Sequence, residues 1–139
     1  MNDYDQKVAK IEMYNQPILE GFGVWLEKSG LTKKTVKRHC ENIDFFAEYL
    51  IYYEPLSSLD EADNSDVYMF LMNWYPRKAM WASEAHTKSY MATFRKFFVY
   101  LNECKQIEQS VVDEVKGTLK ENKESFLEAV AFEDDDYEW

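Results

Sequence analysis

The chain has 139 residues, about one domain by the usual prior of roughly 100–200 residues per domain, and its 46% apolar content, with 17% aromatic, is enough to close a single core. Sixteen Lys and Arg against 26 Asp and Glu leave a net charge of −10, which excludes a uniformly basic nucleic-acid binder and leaves room only for a local basic face. Four glycines and three prolines are too few to punctuate an all-β chain, so the composition favours helices.

The start, Met1-Asn2-Asp3-Tyr4-Asp5, has neither the basic residues nor the apolar stretch of a secretory signal, and apolar runs such as residues 67–72 are too short to span a bilayer. A cytoplasmic protein without membrane contact is expected, with residues 1–14 as an N-terminal extension. The first helix is predicted over about residues 16–28, where Ile18, Phe22, Trp25 and Leu26 step at helical spacing and Ser29-Gly30 ends the run. Thr32 stands as the cap of a second helix, on which Val36, Cys40, Ile43, Ala47, Leu50 and Ile51 recur at three and four; it ends before Pro55. Residues 54–66 read as a solvated acidic loop. Ser65 opens a third helix with Val67, Phe70, Leu71 and Trp74 on its buried stripe, and Pro76, lacking an amide, is expected to stop it.

From Glu84 a long fourth helix carries Thr87, Tyr90, Met91, Phe94, Phe97, Phe98 and Leu101 on an aromatic core face. After Cys104, Ile107, Val111, Val115 and Leu119 step by four, and Phe126, Leu127 and Val130 come next, which predicts a C-terminal helix in one or two pieces. From residue 113 onward there are ten carboxylates and three lysines, about −7 of the total charge, so the acidity is concentrated in this helix and its tail.

Little in the chain points to catalysis. His39 and His86 open no metal-ligand spacing, and Cys40 and Cys104 share no C-x-x-C, so both are read as reduced thiols. His39 and Cys40 are neighbours on a helix, about 100° apart, and are poorly placed to form a nucleophile–base pair. No glycine-rich phosphate loop or nucleophile elbow occurs, and Asp134-Asp135-Asp136 lacks the spacing and glycine of a calcium loop. No enzyme activity, cofactor or metal is expected.

One cluster runs against the overall charge. Lys33, Lys34, Lys37 and Arg38, with Lys28 just upstream, fall at the start of the second helix, and Lys34, Lys37 and Arg38 share one face at i, i+3 and i+4. Lys88, Arg95 and Lys96 lie off the aromatic stripe of the fourth helix. By charge pattern alone an ordinary solvated face is the simpler reading; a phosphate-tracking surface for double-stranded DNA is the functional one.

The order of motifs favours the second. Trp25-Leu26-Glu27-Lys28-Ser29-Gly30-Leu31-Thr32-Lys33-Lys34-Thr35-Val36, followed by Ile43, Phe46 and Tyr49-Leu50, resembles the N-terminal SAM-like, or core-binding, domain of tyrosine recombinases (phage integrases). Ser65-Asp66-Val67 with Phe70-Leu71 is similar to that family's third helix, and Thr87, Phe94, Phe97-Phe98 and Tyr100-Leu101 to its fourth. The resemblance covers residues 15–104 and implies an all-α, four-helix SAM-like bundle, here with an additional acidic C-terminal helix and tail over residues 105–139. It implies DNA contacts at Thr32, Lys33, Lys34, Lys37, Arg38, Thr87, Lys88, Arg95 and Lys96, with the starts of the second and fourth helices facing the duplex.

The chain departs from the family beyond its fourth helix. The family's catalytic domain, with an H-x-x-R and a nucleophilic tyrosine, has no counterpart: His39 and His86 are followed at +3 by Asn42 and Ser89. The expected function is therefore a stand-alone, non-catalytic DNA-binding module accessory to DNA recombination, integration or regulation, and the ending is read as that of a complete small protein. The alternative is a protein–protein interaction or regulatory domain using the acidic tail and the aromatics Trp74, Tyr75, Trp81, Tyr137 and Trp139. A further expectation is that the tail folds over the basic face and competes with DNA.

Overall fold

The computed structural model describes residues 2–131, of which 78% are helical and none lies in a strand. The acidic run at Asp134, Asp135 and Asp136 and the aromatics Tyr137 and Trp139 lie outside the described residues.

Helix α1, Asp3–Lys28, begins well before residue 16. Asn2 caps it by accepting from the Asp5 amide at 2.8 Å, and Asp3 and Asp5 suit the positive end of its dipole. The early turns carry only a thin, half-buried stripe of Val8 and Ile11, and they are also held by tertiary hydrogen bonds to the segment after the second helix. Tyr4 donates to the Ile51 carbonyl, Tyr14 donates to Asp60, and buried Asn15 accepts from the Leu59 amide at 3.0 Å. Pro17 lies inside α1, one turn beyond exposed Met13, on a side where water can serve the carbonyl the proline leaves without a donor. Gly30, at φ +90°, makes the left-handed exit expected of it.

Helix α2, Lys33–Leu50, starts at Thr32, whose hydroxyl accepts from the Thr35 amide at 3.2 Å, and buries Val36, Ile43, Phe46 and Leu50. The acidic segment after it folds back through a 3-10 turn, Leu59–Glu61, that buries Leu59. Helix α3, Asn64–Met69, is capped by Asp63 rather than opened by Ser65: Asp63 accepts from the Ser65 and Asp66 amides, and Asp66 accepts from the Asp63 amide in return. Pro76 does not stop this helix. A π turn, Phe70–Trp74, widens the ring so that the Tyr75 amide reaches the Phe70 carbonyl, and the proline then falls in the first turn of α4, Tyr75–Lys78, where its missing amide costs least.

Helix α5, Glu84–Glu103, is capped by Ser83 and carries the aromatic stripe. Phe97 meets Phe22 edge-on at 5.0 Å, and Phe94 meets Phe46 at 4.8 Å and Phe70 at 5.7 Å, so one helix packs against α1, α2 and the π turn. Gly21 permits the approach of α1 to α5: a Cβ there would sit 2.1 Å from the Tyr100 hydroxyl, which donates to the Ile18 carbonyl at 3.2 Å. The C-terminal helix comes in two pieces, α6 (Gln109–Glu121) and α7 (Lys123–Ala129), and Val112, Val115, Leu119, Phe126 and Val130 join the same core.

Candidate functional site

Helices α2 and α5 meet through polar as well as apolar contacts. The Thr93 hydroxyl donates to the Ser89 carbonyl at 3.0 Å, and its lone pairs are left to accept from Asn42 Nδ2 at 2.9 Å and from His39 Nδ1 at 2.6 Å. Asn42 also donates to Ser89 Oγ at 3.1 Å. Both His39 and Asn42 are buried. Sequence reasoning misses this group; its signal is polar residues recurring at helical spacing on otherwise apolar faces, His39 and Asn42 on α2 and Ser89 and Thr93 on α5.

Later residues of α2 face earlier residues of α5: His39 meets Thr93, Asn42 meets Ser89 and Phe45 meets Tyr90. These contacts run the two helices in opposite senses, and Lys34, Lys37 and Arg38 of the first two turns of α2 line one groove together with His86 of the first turn of α5. Burial holds the His39 imidazole below its ordinary range, and the positive charges of Lys96 on α5 and Arg38 on α2 push it the same way. One cation from each predicted set is thus close to the same imidazole.

Of the nine predicted contact residues, Thr32, Lys33, Lys34, Lys37, Arg38, Lys88 and Arg95 are exposed and Lys96 is half-buried. Thr87 is the correction. It is fully buried and donates to the Tyr75 hydroxyl at 3.1 Å, so it belongs to the core stripe and cannot reach a phosphate. Lys88 and Arg95 are seven residues apart and share a face roughly 80–100° around α5 from Lys96, so the α5 cations divide between two faces. Among the described residues the ion pairs within 4.0 Å are those of Lys7 with Asp3 and Glu54; none of the eight remaining site residues is neutralised in this way.

A groove of about 690 Å³ runs along the outer face of α2 beside the start of α5. Lys34, Lys37 and Arg38 line it together with Glu41, Asp44 and Glu48 from later turns of α2, and Phe45, Trp81, His86 and Tyr90 complete the lining. Asp44 is held above the usual carboxylate range by partial burial and by the neighbouring Glu41. Trp81 is 45% exposed, and its Nε1 donates to the Tyr90 hydroxyl at 3.3 Å. Of the other aromatics offered as partner anchors, Trp74 and Tyr75 are in the core. Among the described residues, no helix is long and apolar enough to cross a membrane, and no cluster of His, Cys, Asp or Glu could hold a metal ion.

No protein-family model, curated protein or solved structure matches the chain.

Proposed function

We propose that this chain is a non-catalytic module that binds double-stranded DNA through its phosphates. In this reading α1, α2, the α3–α4 segment and α5 form the four-helix SAM-like bundle of a recombinase core-binding domain, with α6, α7 and the acidic tail added to it. The module is accessory to recombination or to its regulation.

The observation that carries the reading is the set of cations that line one groove without carboxylate partners among the described residues, Lys34, Lys37 and Arg38 from α2, with Lys96 of α5 near enough to His39 for its charge to act on that imidazole. A phosphate track crosses the first two turns of α2 and passes onto the middle of α5. It avoids Glu41, Asp44 and Glu48, which repel a backbone laid along the whole of α2. The free amides of the first turn of α2 add donors at the same end.

The test is a titration of labelled duplex at several salt concentrations. With roughly four to six phosphates neutralised, log affinity falls against log salt with a slope of about −4 to −5. Replacing Lys34, Lys37 and Arg38 together by Gln flattens that slope by roughly 3 and weakens binding irrespective of sequence. The full chain should be compared with a chain ending at Ala131, which removes the acidic tail while keeping Phe126 and Val130 in the core. Absence of binding at low salt by both chains overturns the proposal.

A further inference from the structure

The charges on the outer face of α2 are ordered. Lys34, Lys37 and Arg38 occupy its first two turns and Glu41, Asp44 and Glu48 its later ones, and all six line the same groove. A helix on its own favours the reverse order, with anions near its N-terminus, so the stability of α2 does not account for the arrangement. Duplex DNA does not account for it either, since a polyanion matches only the basic half.

We infer that this stripe is a self-complementary interface through which two copies of the chain pair about a two-fold axis, with their α2 helices antiparallel. A stripe that is positive at one end and negative at the other matches itself when turned through 180°, which is the requirement of a two-fold contact. With the axis near Glu41, Lys34 faces Glu48 of the partner subunit and Arg38 faces Asp44 of the partner subunit, and symmetry repeats both pairs. Lys37 and Arg38 of the two copies flank the two Glu41 side chains and offset their mutual repulsion. A parallel arrangement sets like charge on like along the whole stripe and is excluded.

The stripe from residue 34 to residue 48 is about 21 Å long at 1.5 Å per residue, long enough to seat a helix of the same length. The groove also supplies the apolar component that charge pairs alone lack. Trp81 is exposed, oriented by its hydrogen bond to Tyr90, and lies 5.2 Å from Phe45, a half-buried ring of α2. A fixed indole beside a charged rim is the kind of anchor on which protein interfaces rely. Asp44, held up in the single chain by partial burial and secondarily by Glu41, gains a cation in the pair. At about 0.15 M salt the Debye length is about 8 Å, so the net negative charge of the two copies is screened while contacts across the stripe are retained.

Analytical ultracentrifugation of the full chain, without DNA, tests this. The wild type is expected to self-associate at about 100 μM, a loading at which even a micromolar complex is filled. A variant with Lys34→Glu, Lys37→Glu and Arg38→Glu has an all-negative stripe, and one with Glu41→Lys, Asp44→Lys and Glu48→Lys an all-positive one. Each should associate at least roughly ten-fold more weakly. A variant carrying all six reversals restores a self-complementary stripe in the opposite order and should associate like the wild type. The altered positions are exposed, so circular dichroism should be unchanged in all four proteins. A monomeric wild type, or half-reversed variants that associate as well as it does, overturns the inference; so does a six-fold variant that stays monomeric. The DNA reading succeeds or fails separately, in the duplex titration.

Discussion

His39 shows how a single side chain ties the stability of the α2–α5 contact to pH. Its Nδ1–H serves the Thr93 hydroxyl at 2.6 Å, and burial, Lys96 and Arg38 all disfavour a second proton on the ring. In the unfolded chain the imidazole takes that proton near pH 6.5, and in the folded chain only at lower pH. The unfolded state therefore binds more protons in this window: the contribution of His39 is complete above pH 6.5 and is lost as pH falls from 6.5 toward the folded value. Asp44 and Asp66 run the other way. Burial raises both above 3.8, so the folded state takes up their protons first and gains on acidification. The histidine is isolated by comparing urea unfolding of the wild type and His39→Gln at pH 7.5 and 5.5. The wild type should lose more stability than the variant between the two; equal losses would show that His39 carries no part of the pH dependence. Of this network the sequence exposes only a histidine on an apolar helix face, the ordinary position of a core or boundary imidazole. Thr93 passes for a small filler in an aromatic stripe. Thr87 lies on that stripe too, and its helical phase places it with Tyr90 and Phe94 rather than with the surface lysines beside it.

At the scale of elements, the helices legible in the sequence are those whose burial repeats along the chain. α2 and α5 combine a cap, Thr32 or Ser83, with apolar residues every three or four positions, and their beginnings fall where those residues place them. The first half of α1 has only a thin version of that repeat, Val8 and Ile11, both half-buried and interrupted by the polar Asn15 before Ile18. What orders it is Tyr4, Tyr14 and Asn15 reaching across 44 or more residues to the segment after α2, which no local window contains. Pro76 misleads for a related reason: a proline ends a regular helix, but a π turn before it turns the same residue into a first-turn proline. The charge order of α2 leads to a prediction at this scale. Lys33 and Lys34 occupy its first turn, which holds no acidic residue, against the preference of the helix dipole. Lys33→Glu and Lys34→Glu should each stabilise the fold by roughly 0.3–1 kcal/mol at low ionic strength. The same changes should weaken duplex binding. Thermal unfolding and the duplex titration, run on the same variants, measure the two effects; substitutions that destabilise the fold as well as reduce affinity would mean that these lysines hold the bundle together rather than a ligand.

For the molecule as a whole, the sequence supplies the cations but not their neighbours. It places Lys34, Lys37 and Arg38 on one face of α2, a matter of local periodicity. That the charge of Lys96 acts on His39, that Lys88 and Arg95 lie on another face of α5, and that three carboxylates share the groove all depend on how two distant helices cross. These neighbours bring the two proposed ligands into competition: a duplex and a second copy of the chain both take up Lys34, Lys37 and Arg38. By linkage each must lower the affinity for the other by the same factor. Adding a short duplex to the self-associated protein should therefore convert pairs into complexes of one chain with DNA, observed by sedimentation of a labelled duplex. Raising salt should favour the pair over the DNA complex, because released phosphate counterions make duplex binding fall steeply with salt, whereas the pair also rests on Trp81 and Phe45. A complex that carries two chains per duplex at every protein concentration, with self-association undiminished, would mean that the two contacts use different surfaces. In that case the DNA track would have to lie on the other cationic face, at Lys88 and Arg95.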